Sequence, residues 1–240
     1  MENIKTVIVT GASQGIGAGV VQAFLDRGYK VVATSRNVST SGLKPSATLA
    51  LVDGDVGQES TAERVVATAV SRFGTVDHVV NNAGIFASKP FTKFTAADFR
   101  AYVSTNLEGY IFITQLAVKQ MLAQGSGGSV TAITASLADN PIAGVPASIP
   151  MITKGGLNTV TRSLGSEYAK DKIRFNAVAP GVVETPLHKD TPGELMNRLS
   201  PMGTISDVKD IADAVIYLTE ARQVTGEVLH VDGGAHVGKW

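Results

Sequence analysis

A chain of 240 residues, 44% of them hydrophobic, can bury a sizeable core as one α/β domain or as two small ones. Its 21 basic residues equal its 21 acidic ones, which leaves no broad basic field for nucleic acid or an anionic membrane; the expected partner is a small, roughly neutral molecule. The absence of cysteine excludes disulfides, thiolate catalysis and cysteine-based metal sites, and fits a reducing compartment, with the cytoplasm as the expected location.

In chain order, the first apolar run is Val7, Ile8 and Val9 within TVIVT (6–10), too short for a signal-peptide core or a membrane span and suited to a buried strand. It runs into the glycine-rich TGASQGIG (10–17) and then into a helical pattern, GIGAGVVQAFLDRG, that starts at Gly15. Glycines there let the backbone turn tightly and approach a pyrophosphate, and the helix start offers free N–H groups and the positive end of its dipole. The second strand, KVVATS (30–35), ends in Ser35 and Arg36, and the Ser/Thr-rich piece at 38–48 reads as a connection to a third strand, TLALV (48–52).

Dinucleotide folds that prefer the unphosphorylated cofactor usually place an acidic residue at the end of the second strand, for the ribose hydroxyls. Ser35 and Arg36 bring no carboxylate to repel a 2′-phosphate, and Arg36 offers it a planar fork of donors, so NADP(H) is expected over NAD(H). Asp55 and Val56, just beyond the third strand, are placed to receive the adenine amino group and ring.

The remaining strands are predicted at DHVVN (77–81), SVTAIT (129–134), IRFNAV (173–178) and EVLHV (227–231), with a helix running from Ser60 through STAERVVATAVSRFG. Most of these strands do not alternate in polarity, as expected for strands buried on both faces. Strands alternating with helices imply right-handed crossovers and a single doubly wound, Rossmann-type α/β domain over 1–240: about seven parallel strands with helices on both faces. Ligands in such sheets sit beyond the carboxyl ends of the strands.

Those strand ends carry a recognisable set: TGASQGIG, NNAG (81–84), Asn106 in STNLEGY, Ser136, Lys154 in TKGGLNTVTRSL, NAVAPG ending at Gly181, and HVDGG near the terminus. Together they resemble the short-chain dehydrogenase/reductase family along essentially the whole chain. The resemblance implies a phosphate loop of Gly11, Ser13, Gln14, Ile16 and Gly17, and an adenosine-side wall of Asn82, Ala83 and Gly84. It places the nicotinamide carboxamide end against Pro180, Gly181, Val183 and Thr185. It also implies that Lys154 binds the nicotinamide ribose, that Asn106 supports a water chain leading away from Lys154, and that Ser136 hydrogen-bonds the substrate oxygen. A homotetramer or dimer is a further implication.

The family pattern places a tyrosine four residues before the lysine, one helical turn away on the same face, where the ammonium lowers the phenol's pKa. Here that residue is Pro150, which carries no proton; a helix starting near Ser148, with Ser148 as its cap, tolerates proline in its first turn and still delivers Lys154. Tyrosines 29, 102, 110, 168 and 217 fall elsewhere and read as ordinary core or surface aromatics.

Three proton sources are open. Lys154, or a water held by Lys154 and Asn106, protonates the alkoxide while Ser136 orients the carbonyl; or His188, Thr134 or Asp139 substitutes; or the acceptor, such as an iminium ion, needs little acid. An alternative of another class is an NADP(H)-binding sensor or scaffold with lost or vestigial redox activity. The intact Ser136, Asn106 and Lys154 weigh against it.

The segment 182–206, interrupted by Pro186, Pro192, Gly193 and Pro201, is the expected substrate lid. Leu187, Leu195, Met196, Leu199 and Met202 would form its apolar inner face, with Ile142, Val145 and Met151 completing the pocket. Trp240, the only tryptophan, is expected either to pack against another subunit or to end a frayed tail.

Overall fold

A computed structural model describes residues 4–188 and 192–237. Its strands are β1 Thr6–Thr10, β2 Lys30–Ser35, β3 Leu49–Asp53, β4 His78–Asn81, β5 Gly128–Ile133, β6 Ile173–Pro180 and β7 Val228–Val231. They form one parallel sheet in the order β3-β2-β1-β4-β5-β6-β7. The seven-stranded, doubly wound architecture read from the sequence is the one found.

Successive strand residues enter opposite cores. Ile8, Val32 and Val79 face the layer carrying α2 (Glu59–Phe73), α4 (Gly109–Gln124) and α5 (Ser148–Glu167). Val7, Val9, Val31 and Val80 face α1 (Gly15–Asp26) and α7 (Val208–Glu220). All five residues of β1 are buried, the physical reason its sequence shows no polar alternation. Among the described residues no helix is long and apolar enough to cross a membrane.

Between β4 and β5, α3 (Ala96–Tyr102) continues through a π-helical turn, Val103–Glu108, directly into α4. The 182–206 segment leaves the sheet after β6; a parallel bridge pairs Val183 with Ser206, and the segment holds a 3-10 turn, Pro186–His188, and the short α6, Gly193–Asn197. Chain order reverses direction between β1 and β4, and the crevice at that switch point is the expected ligand position in an open α/β sheet.

Helix α5 begins where the sequence indicated, with one correction. Ala147 occupies the cap position, Ser148 is already the first helical residue, and no side chain caps the turn. Pro150 is therefore third in the helix, where its missing N–H has no intrahelical acceptor to lose. The first regular bond of the turn runs instead from Met151 N to Ala147 O at 3.0 Å.

Candidate active site

A cavity of about 580 Å³ opens over the carboxyl ends of the strands. Its wall includes Gly11, Ser13, Gln14, Ile16, Ser35, Arg36, Asp55, Val56, Asn82, Ala83, Gly84, Ser136, Lys154, Pro180, Gly181, Val183 and Thr185. Of the dinucleotide-binding residues and the Ser136, Asn106 and Lys154 set expected from the sequence, all are in this wall except Gly17 and Asn106.

At one end, α1 presents an open N-terminus. Gln14 is its cap in extended conformation, no side chain satisfies the first N–H groups, and the first turn has no acidic residue. The loop before it is held at close quarters to β4. Gly11 has φ +65°, and a Cβ there would come within 2.8 Å of Ala83 Cα; a Cβ on Gly17 would lie 2.2 Å from Gly11 O. Gly17 thus serves by letting α1 close on the loop. Asn82 Nδ2 donates to Thr10 O at 3.0 Å and Gly11 O at 3.1 Å, while Thr10 Oγ1 accepts from Asn82 N and Ala83 N. Uncapped helical N–H groups behind a glycine cradle suit a phosphate.

Beside it, Ser35 Oγ is buried with no hydrogen-bond partner, and Arg36 is exposed at the rim. The carboxylate of Asp53 at the end of β3 is taken by the Ser39 N–H at 2.8 Å and by the Ser39 hydroxyl, which hold its carboxyl below the usual range. Asp55 accepts from Gly57 N through Oδ1 and is the one carboxylate in the described wall. An orphaned hydroxyl, an open helix start and a glycine cradle together fit a dinucleotide.

The other end is built on β5 and α5. Lys154 projects from the second turn of α5, is almost completely buried, and donates from Nζ to Ile133 O at 2.6 Å. Burial alone pulls its pKa down to about 8, because no carboxylate compensates the desolvated ammonium. Gly84 keeps space beside it: a Cβ there would sit 3.2 Å from Lys154 Nζ and 3.3 Å from Asn106 Oδ1. Ser136 opens the 3-10 turn after β5 and reaches the cavity.

Asn106 sits in the π-helical turn, and the wider turn aims its amide at the neighbouring backbone. Oδ1 accepts from Ile85 N at 2.8 Å; Nδ2 donates to Ile85 O at 3.2 Å and to Thr153 Oγ1 at 2.9 Å. The Thr153 hydroxyl in turn donates to Pro150 O at 2.7 Å. Pro150 is buried and does not line the cavity, and none of the five tyrosines does.

Several expectations are corrected. Asp139 turns away from the cavity, its Oδ2 accepting from His230 Nε2 at 3.0 Å and Asn158 Nδ2 at 3.2 Å. Thr134 does line the wall, but its hydroxyl donates to Val178 O. Of the lid residues, Leu187 and Leu199 face the cavity with Ile142 and Val145, whereas Leu195 is 53% and Met202 75% exposed, and Met196 and Met151 are off the wall. Prolines divide the lid into pieces too short to have a consistent apolar face. The side chain of His188, and Trp240, lie outside the described residues. Phe86, Thr105, Leu137 and Ala235 are wall residues with no signal in the sequence pattern, contributed by loops and the π-helical turn.

This geometry is that of a doubly wound protein that binds a dinucleotide at its switch point. Comparison with known proteins narrows the class. A family model described as enoyl-(acyl carrier protein) reductase matches residues 11–236. The 3-oxoacyl-[acyl-carrier-protein] reductase of Bos taurus is 34% identical over 239 residues, covering 96% of this chain and 97% of the relative. The 3-ketoacyl-(acyl-carrier-protein) reductase of Brucella melitensis, solved with NADH, superposes with a TM-score of 0.89 at 29% identity, covering 97% of this chain and 98% of that one. ElxO, solved with NADP bound, superposes at 0.88 and 28% identity over the same shares. The chain belongs to the short-chain dehydrogenase/reductase family. Its homologues are oxidoreductases, and these two structural neighbours were solved with nicotinamide cofactors.

Proposed function

We propose that the protein is an NADP(H)-dependent oxidoreductase that reduces a small, largely apolar carbonyl, imine or related compound. One observation carries this reading. The end of the cavity walled by Phe86, Leu137, Ile142, Val145, Leu187 and Leu199 holds Ser136 and Lys154, and among the described residues Lys154 is the only ionisable group there. Such a wall accepts an uncharged, apolar molecule and offers its one polar centre to a single acceptor atom.

The cofactor, when bound, supplies hydride. Gly11, Ser13, Gln14 and Ile16 bind its phosphates at the open start of α1, and Asp55 and Val56 receive the adenine. Ser35 and Arg36 hold the 2′-phosphate, a role supported by the unpartnered Ser35 hydroxyl and by the commitment of Asp53 to Ser39. Pro180, Gly181, Val183 and Thr185 seat the carboxamide end. Ser136 orients the acceptor oxygen, and Lys154, or a water it holds, supplies the proton that a tyrosine would otherwise give. Asn106 acts behind Lys154 by fixing the Ile85 backbone and the start of α5. The 182–206 segment serves as lid, and the apolar residues exposed on α4 and α5, Ile111, Leu122, Ile152 and Val160, support a homo-oligomer, tetramer or dimer.

The test is titration of the protein with NADPH and NADH, followed by NADPH oxidation against a panel of ketones, aldehydes, imines and quinones in wild type and Lys154→Ala. Tighter NADPH binding and turnover lost in Lys154→Ala are expected. NADPH binding with no oxidation across the panel would favour a dinucleotide-binding sensor or scaffold, the reading to which the proton-free Pro150 lends weight.

A further inference from the structure

Next to the cavity, the loop 232–237 carries a polar cluster that this reading leaves unused. His230 on β7 and His236 stack face to face, with ring centroids 3.9 Å apart and planes 14° from parallel. His230 Nε2 donates to Asp139 Oδ2 at 3.0 Å, and His236 Nδ1 donates to both oxygens of Asp232 at 3.0 Å. A carboxylate oxygen accepts only, so these are the ring nitrogens that carry hydrogen. The Asp232 side chain, 2% exposed, also accepts from Gly234 N and His236 N, which makes the loop a self-braced turn.

The loop touches two walls of the cavity in different ways. On one side the loop and the end of β7 are joined by directional bonds to the turn that follows Ser136: His230 of β7 to Asp139, and Asn140 Nδ2 to Ala235 O at 2.6 Å. Ala235 is itself a wall residue. On the other side the lid rests on it sterically. A Cβ on Gly233 would come within 2.2 Å of Ser200 Oγ, and one on Gly234 within 3.8 Å of Pro201 Cγ. Ser200 Oγ is buried without a partner, and among the described residues no backbone hydrogen bond joins 232–237 to 200–203. The lid side can part without breaking a hydrogen bond, while the Ser136 side cannot.

We propose that the stacked His230 and His236 form a strap that holds the Ser136 turn in place and gives the lid its seat, so that His230 is a positioning residue setting how tightly the apolar end of the cavity grips its substrate. The proposal rests on that end being the substrate site. It assigns the strap to substrate capture and not to the dinucleotide, whose phosphate loop lies at the far end of the cavity.

Two substitutions separate the bond from the stack. His230→Phe keeps a ring against His236 and removes the N–H; His230→Gln keeps a donor for Asp139 and removes the ring. In His230→Phe saturated with NADPH, amide exchange at 136–140 is expected to quicken about tenfold or more, as for a lost hydrogen bond to a charged acceptor. For an aryl ketone reduced by the wild type, KM rises by a similar factor, roughly tenfold, while kcat and the NADPH Kd stay within about threefold. His230→Gln restores both readouts most of the way. Unchanged exchange in His230→Phe, or His230→Gln as impaired as His230→Phe, overturns the strap. If the wild type reduces nothing in the panel, the reductase reading fails, while exchange in the NADPH complex still decides the strap.

Discussion

Replacing Lys154 with methionine is expected to abolish turnover and stabilise the fold in the same stroke. Burial lowers the Lys154 pKa from 10.5 to about 8. At 1.36 kcal/mol per unit, keeping the ammonium buried at neutral pH costs roughly 3 kcal/mol relative to an unfolded chain in which it is solvated. Methionine removes that cost, fills similar volume, and leaves Ile133 O without the donor now 2.6 Å away, a loss of about 1 kcal/mol. The net gain is about 2 kcal/mol, or roughly 4–8 °C in Tm for a chain of this size.

The sign of the pH dependence follows from a base whose folded pKa is depressed. The penalty is complete below about pH 8 and fades as pH rises toward 10.5, where the unfolded lysine also loses its proton. Urea denaturation of wild type and Lys154→Met at pH 7, 9 and 10.5 should therefore show a stability gap that narrows with pH. A variant less stable than wild type at pH 7, or a gap independent of pH, would refute the view that Lys154 is held charged against its burial.

Arg36→Ala should weaken NADPH by about 10–100-fold, the value of a lost charge-assisted phosphate contact, and leave NADH within about twofold in the same titration. Pro150→Tyr places a phenol one turn from Lys154 and should raise reduction of simple ketones by about 10² or more; a folded, NADPH-binding variant with no gain would show that the pocket is not shaped for that acid. His78, buried against Ser129 with Nε2 unpartnered, is held neutral with a pKa of about 3. The fold should thus lose about 2–3 kcal/mol between pH 7 and 4.5, as the unfolded histidine takes up a proton that the folded one cannot, and His78→Leu should flatten that slope in denaturant melts.

What could be read from residues and what could not divides along physical lines. Strands such as TVIVT and KVVATS announce themselves because both faces are buried, and the cavity residues at their carboxyl ends follow from topology alone. The brace between Thr10 and Asn82 spans 72 residues, and nothing local marks Thr10 as a double acceptor. The bonds of Asn106 to Ile85 and Thr153 depend on a π-helical turn, a feature without a sequence period. Hydrophobicity points Leu195 and Met202 inward, yet the five-residue α6 that carries Leu195 is too short to set a face and Met202 lies in a turn. The strap was invisible because His230 and Asp139 lie 91 residues apart.

The proline before the lysine is locally consistent with the fold and not a defect in it. Its carbonyl is held by Thr153, Thr153 is held by Asn106, and Asn106 is held by the Ile85 backbone, so the turn that would carry a phenol is tied into the same polar chain that fixes the cavity floor. Lys154 is delivered unchanged, and with a pKa of about 8 its ammonium is better matched to proton donation near neutral pH than an ordinary lysine is. A pH profile separates two of the three proton sources the residues alone left open, Lys154 and an acceptor that needs little acid. Reduction that draws its proton from Lys154 must fall as pH rises through about 8, because the acid form is lost there. Reduction of an acceptor that needs little acid shows no such inflection at saturating NADPH. A kcat profile flat from pH 6.5 to 9.5, together with weakened NADPH binding in Lys154→Met, would assign Lys154 to holding the cofactor ribose and move the burden of activation onto the substrate.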